Sequence, residues 1–143
     1  MIEETIYQYD PQIYPRLLWV GFNISSKTLK RLFLDDWDDE DIESSLGWSV
    51  KVHKSPTSEV GYLILFRDDD NPDFIPGPDV ISHEATHSAI SILDDMGIPI
   101  NIENSESLAY LTGWVVRCIY EALGKYQEAL NNENKLTNEI IKV

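Results

Sequence analysis

The sequence predicts an α+β domain in which a small, mostly antiparallel twisted sheet packs on two helices. Three observations carry this. The first 66 residues hold strand-length runs of aromatic and branched side chains. From residue 79 onward apolar residues recur at helical spacing. A loop rich in Asp and Pro, residues 67–78, separates the two halves.

Residues 13–23 (Ile-Tyr-Pro-Arg-Leu-Leu-Trp-Val-Gly-Phe-Asn) are apolar at alternate and intervening positions alike, which predicts a strand covered on both faces. Pro15 places its start at a strand end or sheet edge. Ser25 or Ser26 then caps a short helix over 27–34, with Leu29, Leu32 and Phe33 on one face. Residues 35–43 hold seven acids in nine positions. Their spacing does not match a calcium loop, and Trp37 and Ile42 read as anchors of a solvated segment. Residues 48–54 alternate, Trp48, Val50 and Val52 against Ser49, Lys51 and His53, as a half-exposed strand does. A turn with Pro56 leads to 60–66, a continuous apolar run and so a buried strand, and the pair predicts an antiparallel hairpin.

Asp79 is the predicted N-cap of a helix over 80–96 with the apolar stripe Ile81, Ala85, Ala89, Ile92 and Met96. Gly97 suits the position just past its end, and Pro99 prevents its continuation. Asn104 or Ser105 starts a second long helix that Gly124 ends or kinks. A last polar helix follows from Lys125, and residues 131–143 are expected to fray. Nothing marks a linker or a repeat, so residues 1–143 read as one domain.

Composition narrows the function classes. The chain has 143 residues, 11 Lys plus Arg, 25 Asp plus Glu and a formal charge of −14. Such a surface repels nucleic-acid phosphates and anionic lipid, so neither is an expected partner. No apolar run reaches bilayer length, and the opening Met-Ile-Glu-Glu-Thr-Ile has neither the basic nor the apolar region of a signal peptide. The single cysteine, Cys118, rules out an internal disulfide. These features predict a protein of a reducing compartment, the cytoplasm.

The informative residues are His83-Glu84-Ala85-Thr86-His87, an H-E-x-x-H within the predicted helix. Histidines at i and i+4 stand one above the other and can reach one ion. Neutral imidazole nitrogen is a good zinc ligand. Glu84, about 100° around the helix from His83, is poorly placed as a ligand and well placed as a general base beside the metal. The His83, His87, Ile90, Asp94 stripe faces away from the apolar one, so the two histidines are not simply core residues. A catalytic zinc site needs a third protein ligand. His53 lies on the hairpin. Of the downstream acids (Asp94, Asp95, Glu103, Glu106, Glu121), Glu106 is the best candidate, 19 residues past His87 in the first turn of the next helix, with Glu103 as the fallback.

These residues resemble a family. Ser-His-Glu-Ala-Thr-His followed by Glu106-Ser107-Leu108-Ala109-Tyr110 is similar to the gluzincin branch of the zincin metallopeptidases, whose third ligand is a helical Glu about this far downstream. More narrowly, Gly-Tyr-Leu-Ile-Leu-Phe, His-Glu-Ala-Thr-His and Glu-Ser-Leu-Ala-Tyr-Leu-Thr-Gly-Trp resemble small zincin-like proteins encoded by phages and prophages, over residues 60–114. The resemblance implies a minimal zincin-like fold with Zn²⁺ as cofactor, His83, His87 and Glu106 as ligands, and Glu84 as base. Many gluzincins have an acid four residues after the ligand Glu. Here that position is Tyr110, whose hydroxyl would support a ligand or the developing oxyanion, or else is a half-buried helix aromatic. The family also implies an exposed edge strand beside the metal, supplied here by 48–54, along which an extended peptide or protein substrate adds. Two readings follow: a zinc metallopeptidase, or a non-catalytic phage accessory protein that keeps the fold and engages a virion or host protein. The shortness of the chain favours the second and the intact Glu84 favours the first.

Overall fold

The computed structural model of the chain describes residues 2–37 and 46–141. The elements run β1 (Ile6–Tyr9), β2 (Leu17–Phe22), α1 (Ser26–Leu32), β3 (Gly47–His53), β4 (Val60–Phe66), α2 (Pro78–Asp95), a single 3-10 turn (Ile102–Asn104) and α3 (Ser105–Ile141). The four strands form one sheet in the order β1-β2-β4-β3, so β3 and β1 are its edges. β3 and β4 are the expected antiparallel hairpin, in register from Gly47↔Phe66 to His53↔Val60. β1 is antiparallel to β2, whereas β2 and β4 run parallel, Leu17↔Gly61 to Phe22↔Phe66. The fold is therefore α+β, with a mostly antiparallel sheet.

The alternation of side chains builds three layers. Leu18, Val20 and Phe22 of β2 and Tyr62, Ile64 and Phe66 of β4 face α2 and α3. Trp19, Leu63 and Leu65 point the other way with Val52, and meet Leu29 of α1 and Phe33. This explains why 17–22 and 60–66 are apolar throughout: both faces of the two central strands are covered. Fully burying one such Leu, Ile or Phe contributes roughly 1.5–3 kcal/mol, so the two faces together dominate the stability. The parallel pair demands a glycine. A Cβ on Gly61 would stand 2.3 Å from the Leu17 carbonyl oxygen and 2.6 Å from the Trp19 ring. Only a bare Cα lets these strands approach.

Several boundaries differ from the sequence reading. The strand expected over 13–23 begins at Leu17, because residues 11–15 form the turn from β1. β1 itself was not expected. It is four residues long and carries only one alternation of exposure. Ser25 is the N-cap of α1, accepting from the Thr28 N–H, and Ser25 and Thr28 both bond the Glu4 carboxylate. Of the acid-rich segment only Asp35, Asp36 and Trp37 fall within the described residues; the expectation for Asp38 to Glu43 lies outside them. Trp37 is the expected anchor, edge-on to Trp48 at 5.8 Å between ring centroids.

Gly77, not Asp79, caps α2, and Pro78 opens it, as proline does in a first turn whose N–H groups lack helical partners. Gly97 closes the helix at φ +70°, with Gly97 N–H bonding Asp94 C=O and Ile98 N–H bonding Leu93 C=O. Gly124 does not end the last helix: α3 is continuous from Ser105 to Ile141, so the polar helix expected as a separate element is part of α3. Tyr126 and Leu130, packed on the core cluster of the sheet, extend its anchored face beyond the glycine. No helix among the described residues is long and apolar enough to cross a membrane.

Candidate metal centre

The H-E-x-x-H residues lie in the middle of α2, where the helical spacing aligns their side chains. The His83 and His87 Nε2 atoms are 3.1 Å apart, with ring centroids at 4.6 Å, and both rings are exposed. Glu84 is only 6% exposed, and its Oε1 stands 3.9 Å from His83 Nε2. Burial pushes the Glu84 carboxyl up from its ordinary pKa, and the charged forms of His83 and His87 pull it back.

The sheet makes the space for Glu84. A Cβ on Gly47 would lie 2.8 Å from Glu84 Cγ and 3.1 Å from Val80 Cγ1. The start of β3 is thus bare where the Glu84 side chain passes. Further along, Ser49 Oγ meets Ser88 Oγ at 2.6 Å, and Lys51 Nζ meets Asp95 Oδ2 at 3.0 Å. Val80, Glu84, Ser88 and Asp95 form one flank of α2, and β3 runs beside it in the same direction. Gly47, Ser49 and Lys51, on the half-exposed polar side of β3, run along this flank.

Among the described residues β3 also presents an edge that no other strand covers. Arg67 N–H bonds Leu46 C=O, and Lys54 N–H bonds Glu59 C=O, so the even-numbered residues of β3 pair with β4. The backbone groups of Gly47, Ser49 and Lys51 therefore point away from the sheet. Only the end of the edge is closed among the described residues: His53 C=O accepts from Leu34 N–H, and His53 N–H bonds Asp35 Oδ2. His53 Nδ1 is held by Asp35 Oδ1 at 3.0 Å, at the end of β3 remote from Gly47 and Glu84.

The two histidines fit a zinc ion. Ligands about 2.0–2.1 Å from a tetrahedral ion lie about 3.3 Å from one another, close to the observed Nε2 separation. The set is incomplete: among the described residues no group of three or more His, Cys, Asp or Glu side chains is placed to hold a metal. Asp95, one of the downstream acids, is committed elsewhere. It accepts from Arg16 Nε at 2.7 Å, Lys51 Nζ at 3.0 Å and Tyr62 OH at 3.0 Å. Arg16, then Lys51, hold its carboxyl far below the ordinary range, while burial and this bond raise the Tyr62 phenol.

Glu106 and Tyr110 are not brought to the histidines. They line a separate cleft with Pro11, Ile13, Tyr14 and Trp114. The packing of α2 explains why. Its Ala89 and Leu93 face Leu111 of α3, and at about 100° per residue His83 and His87 lie roughly 100° and 140° around the helix from the middle of that side. α3 in turn packs over β2, while α2 lies over β3 and β4. Glu103 is exposed in the 3-10 turn before α3. Cys118 is a buried core residue whose thiol is pushed up to about 12 by burial.

Sequence reasoning missed Gly47, Ser88 and the bonds to Asp95. A glycine opening an alternating strand was a readable sign of close approach. The chain matches no protein-family model, no curated protein and no solved structure.

Proposed function

We propose that this chain binds zinc through His83 and His87 and hydrolyses peptide bonds with Glu84 as general base. The observation that carries the reading is the placement of a buried carboxylate 3.9 Å from one of two imidazoles whose Nε2 atoms converge to 3.1 Å. Zinc, when bound, supplies Lewis-acid polarisation and a lowered pKa for water. The chain's own residues do the rest. His83 and His87 offer their Nε2 lone pairs as neutral imidazoles. The Glu84 carboxylate takes a proton from the attacking water and returns it to the leaving amine, and burial makes it a stronger base than an exposed Glu. The outward backbone groups of Gly47, Ser49 and Lys51 align an extended peptide beside Glu84.

A second reading has its own support. Glu106 stands in another cleft, which favours a non-catalytic domain that keeps the two-histidine site and acts as an accessory to a virion or host protein.

One experiment separates the readings. Zinc content and cleavage of a broad peptide mixture are measured for wild type, Glu84→Gln and His83→Ala. The peptidase reading expects zinc in wild type and Glu84→Gln, cleavage only in wild type, and neither zinc nor cleavage in His83→Ala. Zinc without cleavage in wild type selects the accessory reading. Wild type without zinc after metal supplementation overturns both. Glu106→Ala is expected to leave zinc content unchanged; a sharp loss would make Glu106 the third ligand, as the sequence resemblance implies.

A further inference from the structure

The cleft that holds Glu106 has a chemistry of its own. It encloses about 420 Å³ between the β1–β2 turn and the first three turns of α3. Glu106, Tyr110 and Trp114 are spaced i, i+4, i+8 and form a stripe along one side of α3. Tyr14 and Ile13 form the opposite wall, and Leu111 lies beside the stripe. Tyr110 and Ile13 are each 77% exposed, so neither side chain is held there by the core. No Lys, Arg or His lines the cleft, and no described residue bonds or pairs with the Glu106 carboxylate.

Three aromatic rings and one unpaired carboxylate suit an organic cation. Ring faces attract a cation through their quadrupole, most strongly for Trp and then Tyr. The carboxylate supplies the opposite charge, and the exposed Ile13 offers apolar surface to an aliphatic stem. An anion is excluded by Glu106 and by the formal charge of −14. A guanidinium fits better than an ammonium, because it stacks flat on aromatic rings and pairs with a carboxylate through two parallel hydrogen bonds.

From this we infer that the Tyr14, Tyr110, Trp114 and Glu106 cleft receives an arginine side chain presented by a polypeptide partner. Glu106 is the charge partner, and Tyr110 and Trp114 are the stacking surface. The site is independent of His83 and His87, so it stands whether or not the chain holds zinc.

The test is an NMR titration of the full chain with acetyl-Gly-Arg-Gly-amide and with its citrulline isostere, which keeps the shape and loses the charge. The arginine peptide is expected to shift the Trp114 indole N–H and the amides of Ser107 and Tyr110, with the citrulline peptide roughly fivefold weaker or more. Glu106→Gln and Tyr110→Ala should each weaken the arginine peptide by a similar factor, while His83→Ala leaves it unchanged. Thermal unfolding checks that the variants are folded, and a Tyr exposed to this degree should be replaceable without loss of the fold. Equal binding of the citrulline peptide would overturn the inference, as would shifts confined to residues outside the cleft, shifts that survive Glu106→Gln undiminished, or no shift at all.

Discussion

Replacing Gly47 by Ala tests whether β3 shapes the position of the Glu84 carboxylate. In a strand interior with free space, Gly→Ala stabilises a protein by roughly 0.5–1 kcal/mol, because glycine loses more chain entropy on folding. Here the new methyl would stand 2.8 Å from Glu84 Cγ and 3.1 Å from Val80 Cγ1. The first contact is about 0.6 Å inside an ordinary carbon–carbon approach of roughly 3.4 Å or more, and it falls on the middle of the Glu84 side chain, not its mobile end. Overpacking of this kind costs about 1–3 kcal/mol, so the entropic gain is outweighed and the net effect is a loss of about 1–2 kcal/mol. For a chain of this length that lowers Tm by roughly 3–8 °C. The decisive measurement is a thermal-unfolding cycle with Glu84→Ala, which removes the Cγ. In that background Gly47→Ala should cost close to nothing, leaving a coupling of about 1–2 kcal/mol between the two positions. On the peptidase reading the substitution should also suppress peptide cleavage without changing zinc content, since that reading makes Glu84 the base and not a ligand. A rise in Tm on Gly47→Ala alone, equal to that in the Glu84→Ala background, would refute the slot and with it the control of Glu84 by the sheet edge.

Asp95→Asn should lower stability by about 1–2 kcal/mol, because it weakens three bonds, two of them to cations, at a carboxylate that is partly exposed along with its cation partners; Asp94→Asn, which makes the same charge change at an exposed neighbour, is the control in the same melts. The folded Asp95 carboxyl titrates far below the unfolded value of about 3.9. Its contribution is therefore present above about pH 4 and is lost as pH falls toward the folded value, so the deficit of Asp95→Asn should shrink between pH 6 and pH 2.5; a constant deficit would show that the ion pairs are not its source. Cys118, buried and with its thiol pushed up to about 12, should resist a thiol reagent at pH 8 until denaturant is added; prompt labelling of the folded chain would show that this part of α3 opens readily.

Elements that bury apolar surface in a regular period were legible in the sequence. The β3–β4 hairpin, the doubly covered β2 and the motif helix have patterns set by their own burial, and each lies where the pattern predicts, to within a few residues. β1 was not legible because a four-residue edge strand completes less than two periods, and its place is set by its β2 partner. Gly124 misled for a related reason. A glycine inside a helix costs only about 1 kcal/mol relative to Ala, and the packing of Tyr126 and Leu130 beyond it outweighs that cost.

The candidate site divides along the same line. His83, Glu84 and His87 belong to one helix, so their mutual geometry follows from 3.6 residues per turn and nothing else. Glu106 belongs to another helix, and a distance along the chain says only how far α3 begins from α2, not on which flank it packs. That flank is decided by Ala89 and Leu93, which turn the small and apolar side of α2 toward Leu111. The histidines are thereby left on the side of the β3 edge and away from α3. The same packing that separates Glu106 from the histidines joins it to Tyr14, Tyr110 and Trp114. A carboxylate chosen for a metal by spacing is placed, by side-chain packing, among aromatic rings, where a cation of a different kind is the better match.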